Sequence, residues 1–473
     1  MDTYPFYCGG NFIKSPRELL VLNPYDGKVF ARTWLAGDDE FEQAIDSALL
    51  AFASLKSLSS FERSAALSEI AQKITIQEDG FASLIAQEAG KPWRYAVGEV
   101  RRAAQTFRVA AEEAKRLPFE YLQLDWTPDT NGREGLVKYF PVGPIAGISP
   151  FNFPLNLAVH KIAPALAAGC PIILKPASTT PLSTLRLAKI IDETALPKGS
   201  VSILPMDRIT GNRLVTDERF KLLTFTGSPE VGWKMKQGAG KKKVVLELGG
   251  NAGTIVASSA NLEHAMNRSL VGGFAYQGQV CIHAQRIFLH HSHFDEFTRR
   301  FAHGADALRY GDPLSTDTLI TAMIDLENAI RVEQWIEEAR AAGARVLCGG
   351  IRNGNYVQPT VITHATPGMK VFDEEVFGPV VTINPFDTFA EAVEMVNLSR
   401  FGLQAAVFTN QIDELDFAFQ NLETGGVIHN DSTIFRTDHM PYGGIKDSGL
   451  GREGVKYAMH DMLEPRILVK NKT

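Results

Sequence analysis

KLLTFTGSPEVGWKMKQGAGKKKVVLELGG, residues 221–250, sets two short apolar runs on either side of a turn and a helical stretch. KLLTFTG reads as a buried strand ending at Gly227. Ser228 can cap the following helix, and Pro229 suits its first turn, where a missing N–H leaves nothing unsatisfied. KKVVLELGG then reads as a second strand. Exposed amides at a strand-to-helix turn suit a phosphate. Taken by itself, the segment fits an ordinary capped helix with no ligand at least as well.

Upstream, PIAGIS, PIILKP and SVSILP are further short apolar runs, separated by helical patterns such as STLRLAKIIDETA. Such alternation implies a parallel α/β sheet. A second series follows Gly249, with QRIFLHH, ARVLCGG, VQPTVIT, GPVVTINPF and AAVFTN, so a second α/β domain and a cleft between the two are expected. From Asp38 to Pro118 the apolar spacing is helical, and Ser59 with Glu62 forms an S-x-x-E capping box before FERSAALSEIAQKI. EYLQLDWTPDTNGREGLVKYF has two extended runs around a Pro/Asp/Asn/Gly-rich middle and reads as a projecting hairpin. The C-terminal PRILVK reads as a lone strand, for which another subunit is a plausible partner.

With 473 residues the chain exceeds the roughly 250 to 300 at which one core stops growing, so about three structural units are expected. A net charge of -6, without a basic stripe or acidic tail, speaks against nucleic acid or an anionic membrane as partner. The uncharged stretch Val142 to Val159 is broken by Pro144, Pro150, Pro154, Asn152 and Asn156, and reads as buried turns and strand rather than a membrane span. MDTYPFYCGG lacks the basic and apolar regions of a secretory signal, which makes the cytoplasm the expected location. Cysteines at 8, 170, 281 and 348 are too few and too scattered for a disulfide scaffold or a C-x-x-C metal site.

Two patterns mislead. Gly449, Gly451 and Gly454 satisfy G-x-G-x-x-G, but the loop GGIKDS precedes them and no acid follows at the ribose-binding distance, so a structural turn is the better reading. His290, His291 and His293 are metal ligands by type, yet they stand where a strand hands over to FDEFTRRF and read as a solvated turn; no metal is expected.

PVGPIAGISPFNFP, ILKPAS, VVLELGGN, GQVC, EEVFGPV and PYGGIKDSG follow one another in an order that resembles the aldehyde dehydrogenase superfamily from about Asn23 to Lys470. The resemblance implies a Rossmann-like cofactor domain (1–118 and 141–249), an α/β catalytic domain (250–446), and a small β flap with a tail (119–140 and 447–473) that builds a homodimer or homotetramer. It places the nucleophile on Cys281, the oxyanion donor on Asn152 and the general base for thioester hydrolysis on Glu247. A thiolate is both a strong nucleophile and a competent leaving group. Relatives that pass the acyl group to coenzyme A typically lack this glutamate, so a free acid is the implied product. NAD or NADP is the implied cofactor. Its expected contacts are Ile148, Ser149, Pro150, Phe151 and Asn152; Lys175, Ala177, Ser178 and Gly211; Phe225, Gly227, Ser228 and Val231; Glu247, Leu248, Gly249 and Cys281; and Glu375 and Phe377. A cofactor-free thiol esterase and a non-catalytic binding relative are the alternative classes.

The chain also departs from the pattern. Ser178 stands where NAD-preferring relatives commonly carry a glutamate, so NADP is expected to be accepted. Met206, Asp207, Arg208 and Ile209 replace a Gly-rich loop. Arg102 and Arg436 align with positions lining the substrate mouth of phosphonoacetaldehyde-oxidising relatives, although Val280 stands where those carry another arginine. With Phe153 and Ile282 these form the expected substrate set, either as an anion clamp or, for the arginines, as plain salt-bridge residues. The implied substrate is a small polar or anionic aldehyde, with lactaldehyde-like or broad specificity as the alternative.

Overall fold

The computed structural model describes residues 1–471, so the last two residues of the expected tail lie outside the described chain. Short strands occupy Asp2 to Trp34, and four helices follow: Asp38–Ser57, Ser60–Ile76, Glu78–Ala89 and Trp93–Glu113. The capping box forms: the Ser59 N–H donates to Glu62 Oε2 at 2.7 Å, and the Glu62 N–H donates to Ser59 Oγ at 3.2 Å. Trp93–Glu113 buries Ala96, Val100, Ala103, Phe107 and Ala110 along one face, and this face packs on Ser60–Ile76 and Asn156–Ala168.

Eight strands make the first sheet, in the order Gly449–Leu450, Lys243–Glu247, Leu222–Thr226, Ile145–Ile148, Ile172–Lys175, Val201–Ile203, Phe6–Cys8, Asn11–Ile13. The five between Lys243 and Val201 in that order run parallel. Helices cover both faces of such a sheet, and all of Ile145–Ile148 and Leu222–Thr226 is buried. Asn156–Ala168 is buried along its whole length, so the uncharged stretch from Val142 ends in the start of a core helix as well as in strand and turns. Seven strands make the second sheet, which includes Arg286–His290, Gly253–Val256 and Val380–Phe386 at its centre. The architecture is α/β with two mainly parallel sheets.

The hairpin forms between Phe119–Gln123 and Arg133–Pro141. Its third strand corrects the expectation for the C-terminal run. Leu463–Asn471 pairs antiparallel with Arg133–Pro141 of the same chain, from Leu463 opposite Pro141 to Asn471 opposite Arg133. The Val142 N–H donates to the Met462 carbonyl at 3.1 Å, which sets that register. The region from 447 onward is also not one unit: Gly449–Leu450 edges the eight-stranded sheet, and Val455–Asp461 packs on Asn156–Ala168. The G-x-G-x-x-G glycines thus fall on a sheet edge and just before a short helix. Among the described residues no helix is long and apolar enough to cross a membrane.

Candidate active site

At the carboxyl edge of the first sheet, Lys175 lies opposite Ile148, Ile148 opposite Phe225, and Thr226 opposite Glu247. Numbered along the chain, the five parallel strands run 5-4-1-2-3, so the connections leave Ile145–Ile148 and Leu222–Thr226 toward opposite sides. A crevice opens where they part. It is a cavity of about 610 Å³ lined by Pro150, Phe151, Asn152, Gly227, Ser228, Leu248, Gly249, Cys281, Glu375 and Phe377. Trp335, Arg331, Lys370 and Arg400 also line it; they belong to no motif and were not foreseen. Ser228 holds the N-cap position of Pro229–Gly238, but its side chain makes no capping bond.

Cys281 is delivered by a constrained loop. Tyr276, Gln277 and Gly278 have φ of 49°, 55° and 66°, a left-handed run that costs on the order of 1–3 kcal/mol for each non-glycine residue. Tyr276 donates its hydroxyl to the Ala89 carbonyl at 2.7 Å, and Gln279 Oε1 accepts the Ile324 N–H at 3.0 Å. Asn152 Nδ2 donates to the Gln279 carbonyl at 3.0 Å, which ties the amide to this same loop and leaves its second N–H free of that bond. Cys281 Sγ lies 3.0 Å from the Tyr442 hydroxyl. Burial pushes the Cys281 thiol up to about 12. Burial raises Cys8, Cys170 and Cys348 as well, so it is place rather than acidity that sets Cys281 apart. Phe153, Val280, Ile282, Leu403 and Tyr442 pack with Cys281 in one apolar cluster.

Two glycines explain the LELGG motif. A Cβ on Gly249 would stand 2.2 Å from Glu375 Oε2, and one on Gly250 would stand 2.1 Å from the Cys281 carbonyl oxygen. Only bare backbone lets the chain leaving Lys243–Glu247 pass between these groups. Glu375 Oε1 accepts the Gly250 N–H at 3.0 Å, and burial raises its carboxyl to about 8 despite that bond. Phe377, at φ 46°, meets Phe151 edge-on at 5.8 Å.

Beneath Cys281 lies a buried charge network. Arg102 donates to Asp438 at 2.7 Å, and His160 Nε2 shares a hydrogen bond with the same carboxylate at 2.8 Å. Arg436 donates to Glu453 at 2.8 Å, and Lys161 reaches Glu453 at 3.3 Å and the Thr226 hydroxyl at 2.7 Å. Glu247 is 3% exposed, and neither of its carboxyl oxygens has a hydrogen-bond partner. Burial, reinforced by Glu453, holds the Glu247 carboxyl well above the usual carboxylate range; against its own burial, Glu453 is held low by Lys161 and Arg436. Glu247 does not line the cavity, and Arg102 and Arg436 stand in ion pairs outside it. His160, Lys161, Asp438, Tyr442 and Glu453 were not singled out from sequence. The signal available was His-Lys inside an otherwise apolar helix.

The remaining expected contacts do not line this cavity. The Lys175 side chain lies against Gly211, with Ala177 and Ser178 half-buried beyond it. Burial lowers Lys175, and Asp207 nearby opposes that. Asp207 caps Arg208–Thr216 by accepting the Thr210 N–H at 2.8 Å, and it pairs with Arg17 at 2.6 Å. Ile148 and Phe225 are buried in the sheet, Ser149 is buried with its hydroxyl unpartnered, and Val231 is exposed. Apolar walls with the carboxylates of Glu230, Glu374 and Glu375 among them, at a topological switch point, fit a flat heterocycle joined to a hydroxylated sugar.

A sequence model of the aldehyde dehydrogenase family matches residues 12–468. The chain belongs to that family. As an aldehyde dehydrogenase it is an NAD(P)-dependent oxidoreductase, and its relatives align almost end to end. It is 40% identical over 469 residues to 3-sulfolactaldehyde dehydrogenase of Priestia megaterium, covering 99% of this chain and 98% of the relative. Aldehyde dehydrogenase 21 from Physcomitrella patens, solved with the reaction product succinate, superposes with a TM-score of 0.98 at 43% identity, covering 99% of this chain and 98% of that one. Glyceraldehyde-3-phosphate dehydrogenase GapN from Methanocaldococcus jannaschii, complexed with NADP, gives 0.93 at 37% identity, covering 97% and 100%.

Proposed function

We propose that this aldehyde dehydrogenase oxidises a short polar or anionic aldehyde to its free acid through a thioester on Cys281. The observation that carries the reading is the placement of Cys281 in the crevice at the switch point, with Asn152 tied to its loop. Cys281 attacks the aldehyde carbon. The free N–H of Asn152 is the donor to the oxyanion that develops. When bound, NAD(P)+ would supply the hydride acceptor that conversion of the Cys281 thiohemiacetal into the thioester requires. Pro150, Phe151, Gly227, Ser228, Leu248, Gly249 and Phe377 would hold the cofactor at its nicotinamide half, with Glu375 on the ribose; Lys175, Ala177, Ser178 and Gly211 would hold the adenosine half. Glu247 then takes a proton from the water that attacks the thioester. Its side chain has to turn from the buried network toward Cys281 to do so.

The substrate class rests on Arg102 and Arg436 beside the Phe153, Val280 and Ile282 cluster. Relatives named for a sulfonated aldehyde, or solved with a dicarboxylate product, act on short anionic compounds. Arg102 keeps 30% of its side chain exposed, against 5% for Arg436, so Arg102 is the accessible contact and Arg436 contributes its field from behind Tyr442. The exposed apolar residues of the flap, Phe119, Tyr121, Ile467, Leu468 and Val469, which fall on both faces of its sheet, support a homodimer or homotetramer.

The test is NAD(P)H absorbance with a panel of aldehydes and both cofactors. Signal that is strongest with aldehydes bearing a carboxylate, sulfonate or phosphate supports the proposal. Faster turnover of benzaldehyde or propanal than of every anionic candidate would overturn the substrate class. A thiol esterase or a non-catalytic relative would give no signal at all.

A further inference from the structure

Tyr442 has no role in the chemistry as set out so far, although its hydroxyl is 3.0 Å from the Cys281 sulfur. The ring is 3% exposed, and the Arg436 guanidinium lies over its face at 3.7 Å from the centroid. Arg436 is itself fixed by Glu453 at 2.8 Å. These contacts form a continuous chain: carboxylate, guanidinium, phenol ring, sulfur. A cation over the ring face draws electron density from the phenol and makes its O–H a better donor. While Cys281 is a thiol, either group can donate to the other. Once the sulfur has lost its proton it can only accept, and a hydrogen bond to an ionised acceptor is roughly twice as strong as a neutral one.

We propose that Tyr442 is a catalytic residue that donates its hydroxyl to the Cys281 thiolate, with Arg436 beneath its ring strengthening the donor. The inference rests on Cys281 being the nucleophile. Other groups also face the sulfur. Glu375 and Glu247 oppose its ionisation, and Arg436 favours it. Arg436 and Glu247 likewise act on Tyr442 itself. Burial makes the thiolate costly to form, and the Tyr442 bond is the contact in direct reach that offsets this. The same bond supports the sulfur when it leaves the thioester.

Tyr442→Phe removes one oxygen and keeps the ring on which Arg436 stacks, so the apolar cluster is preserved. The measurement is the pH profile of Cys281 alkylation by iodoacetamide in the free enzyme, with the labelled cysteine mapped by peptide mass spectrometry. Tyr442→Phe should move the profile up by about one pH unit, which is about a tenfold loss of alkylation rate below the midpoint. Melting temperature should stay close to that of the unaltered enzyme. Superimposable profiles, or a downward move, would overturn the role of Tyr442. Normal aldehyde oxidation by Cys281→Ala would instead remove the reading on which the inference rests, so the two failures are distinguishable.

Discussion

Arg436 and Glu453 form an ion pair at 2.8 Å with side chains only 5% and 3% exposed. Breaking such a pair leaves a buried charge uncompensated, which costs about 3–5 kcal/mol. Lys161, at 3.3 Å from the same carboxylate, softens the loss. Arg436→Ala is therefore expected to lower unfolding free energy in urea by about 3 kcal/mol, at the lower end of that range. A change of less than about 1 kcal/mol would show that the pair behaves like an exposed one.

Arg102 is the better probe of the substrate anion, because its side chain remains partly exposed while it holds Asp438. Arg102→Ala should raise KM for a short carboxylate- or sulfonate-bearing aldehyde by about tenfold or more, the equivalent of one charge-assisted hydrogen bond. KM for propanal, which has no anion to lose, should change little. Equal increases for both substrates would leave Arg102 as a structural residue that positions Asp438.

Cofactor choice is expected to turn on Ser178. With no carboxylate there, a 2'-phosphate meets no like charge, and Lys175 with Arg208 adds positive charge at that end. NADP should be used with a kcat/KM at least comparable to that for NAD. Ser178→Glu should cut kcat/KM for NADP by about tenfold while sparing NAD. A strong NAD preference in the unaltered enzyme would refute this reading. Asp207 would then be the residue to examine, although Arg17 neutralises it at 2.6 Å.

The pH dependence follows from Glu247. Burial holds its carboxyl protonated above the usual carboxylate range, so its base form grows as pH rises. The Cys281 thiol, raised to about 12, moves the same way. Single-turnover decay of the acyl-enzyme should accelerate from neutral into alkaline pH, and Glu247→Gln should lose that acceleration. A decay rate that is flat from pH 5 upward, or that falls with alkali, would contradict the assignment of Glu247 as base.

The central strands were legible because parallel sheets covered on both faces leave unbroken apolar runs, as in KLLTFTG and PIILKP. Phe6–Cys8 and Asn11–Ile13 were not. Each has three residues, and they are strands only because Tyr7 pairs with Ile203 nearly two hundred positions later. The C-terminal strand was recognised as a strand and grouped with the hairpin by resemblance, but its register along Arg133–Pro141 could not be read from a segment so distant in the chain. In the site, Cys281, Asn152, Glu247 and Glu375 came from the order of the motifs, not from periodicity. Tyr442 stands 161 residues from Cys281 within a glycine-rich turn, and nothing local to PYGG indicates what its hydroxyl touches. Arg436 was placed at the substrate mouth by resemblance, with a salt bridge as the alternative, and nothing local identified its charge partner Glu453, 17 residues later.

Intact-protein mass spectrometry of Glu247→Gln mixed with an anionic aldehyde and NAD(P)+ tests the central claim most directly. The account predicts one rapid turnover of NAD(P)H, no sustained turnover, and an added acyl mass that maps to Cys281. Loss of the NAD(P)H burst, or an acyl group found on Cys8, Cys170 or Cys348 instead, would contradict it.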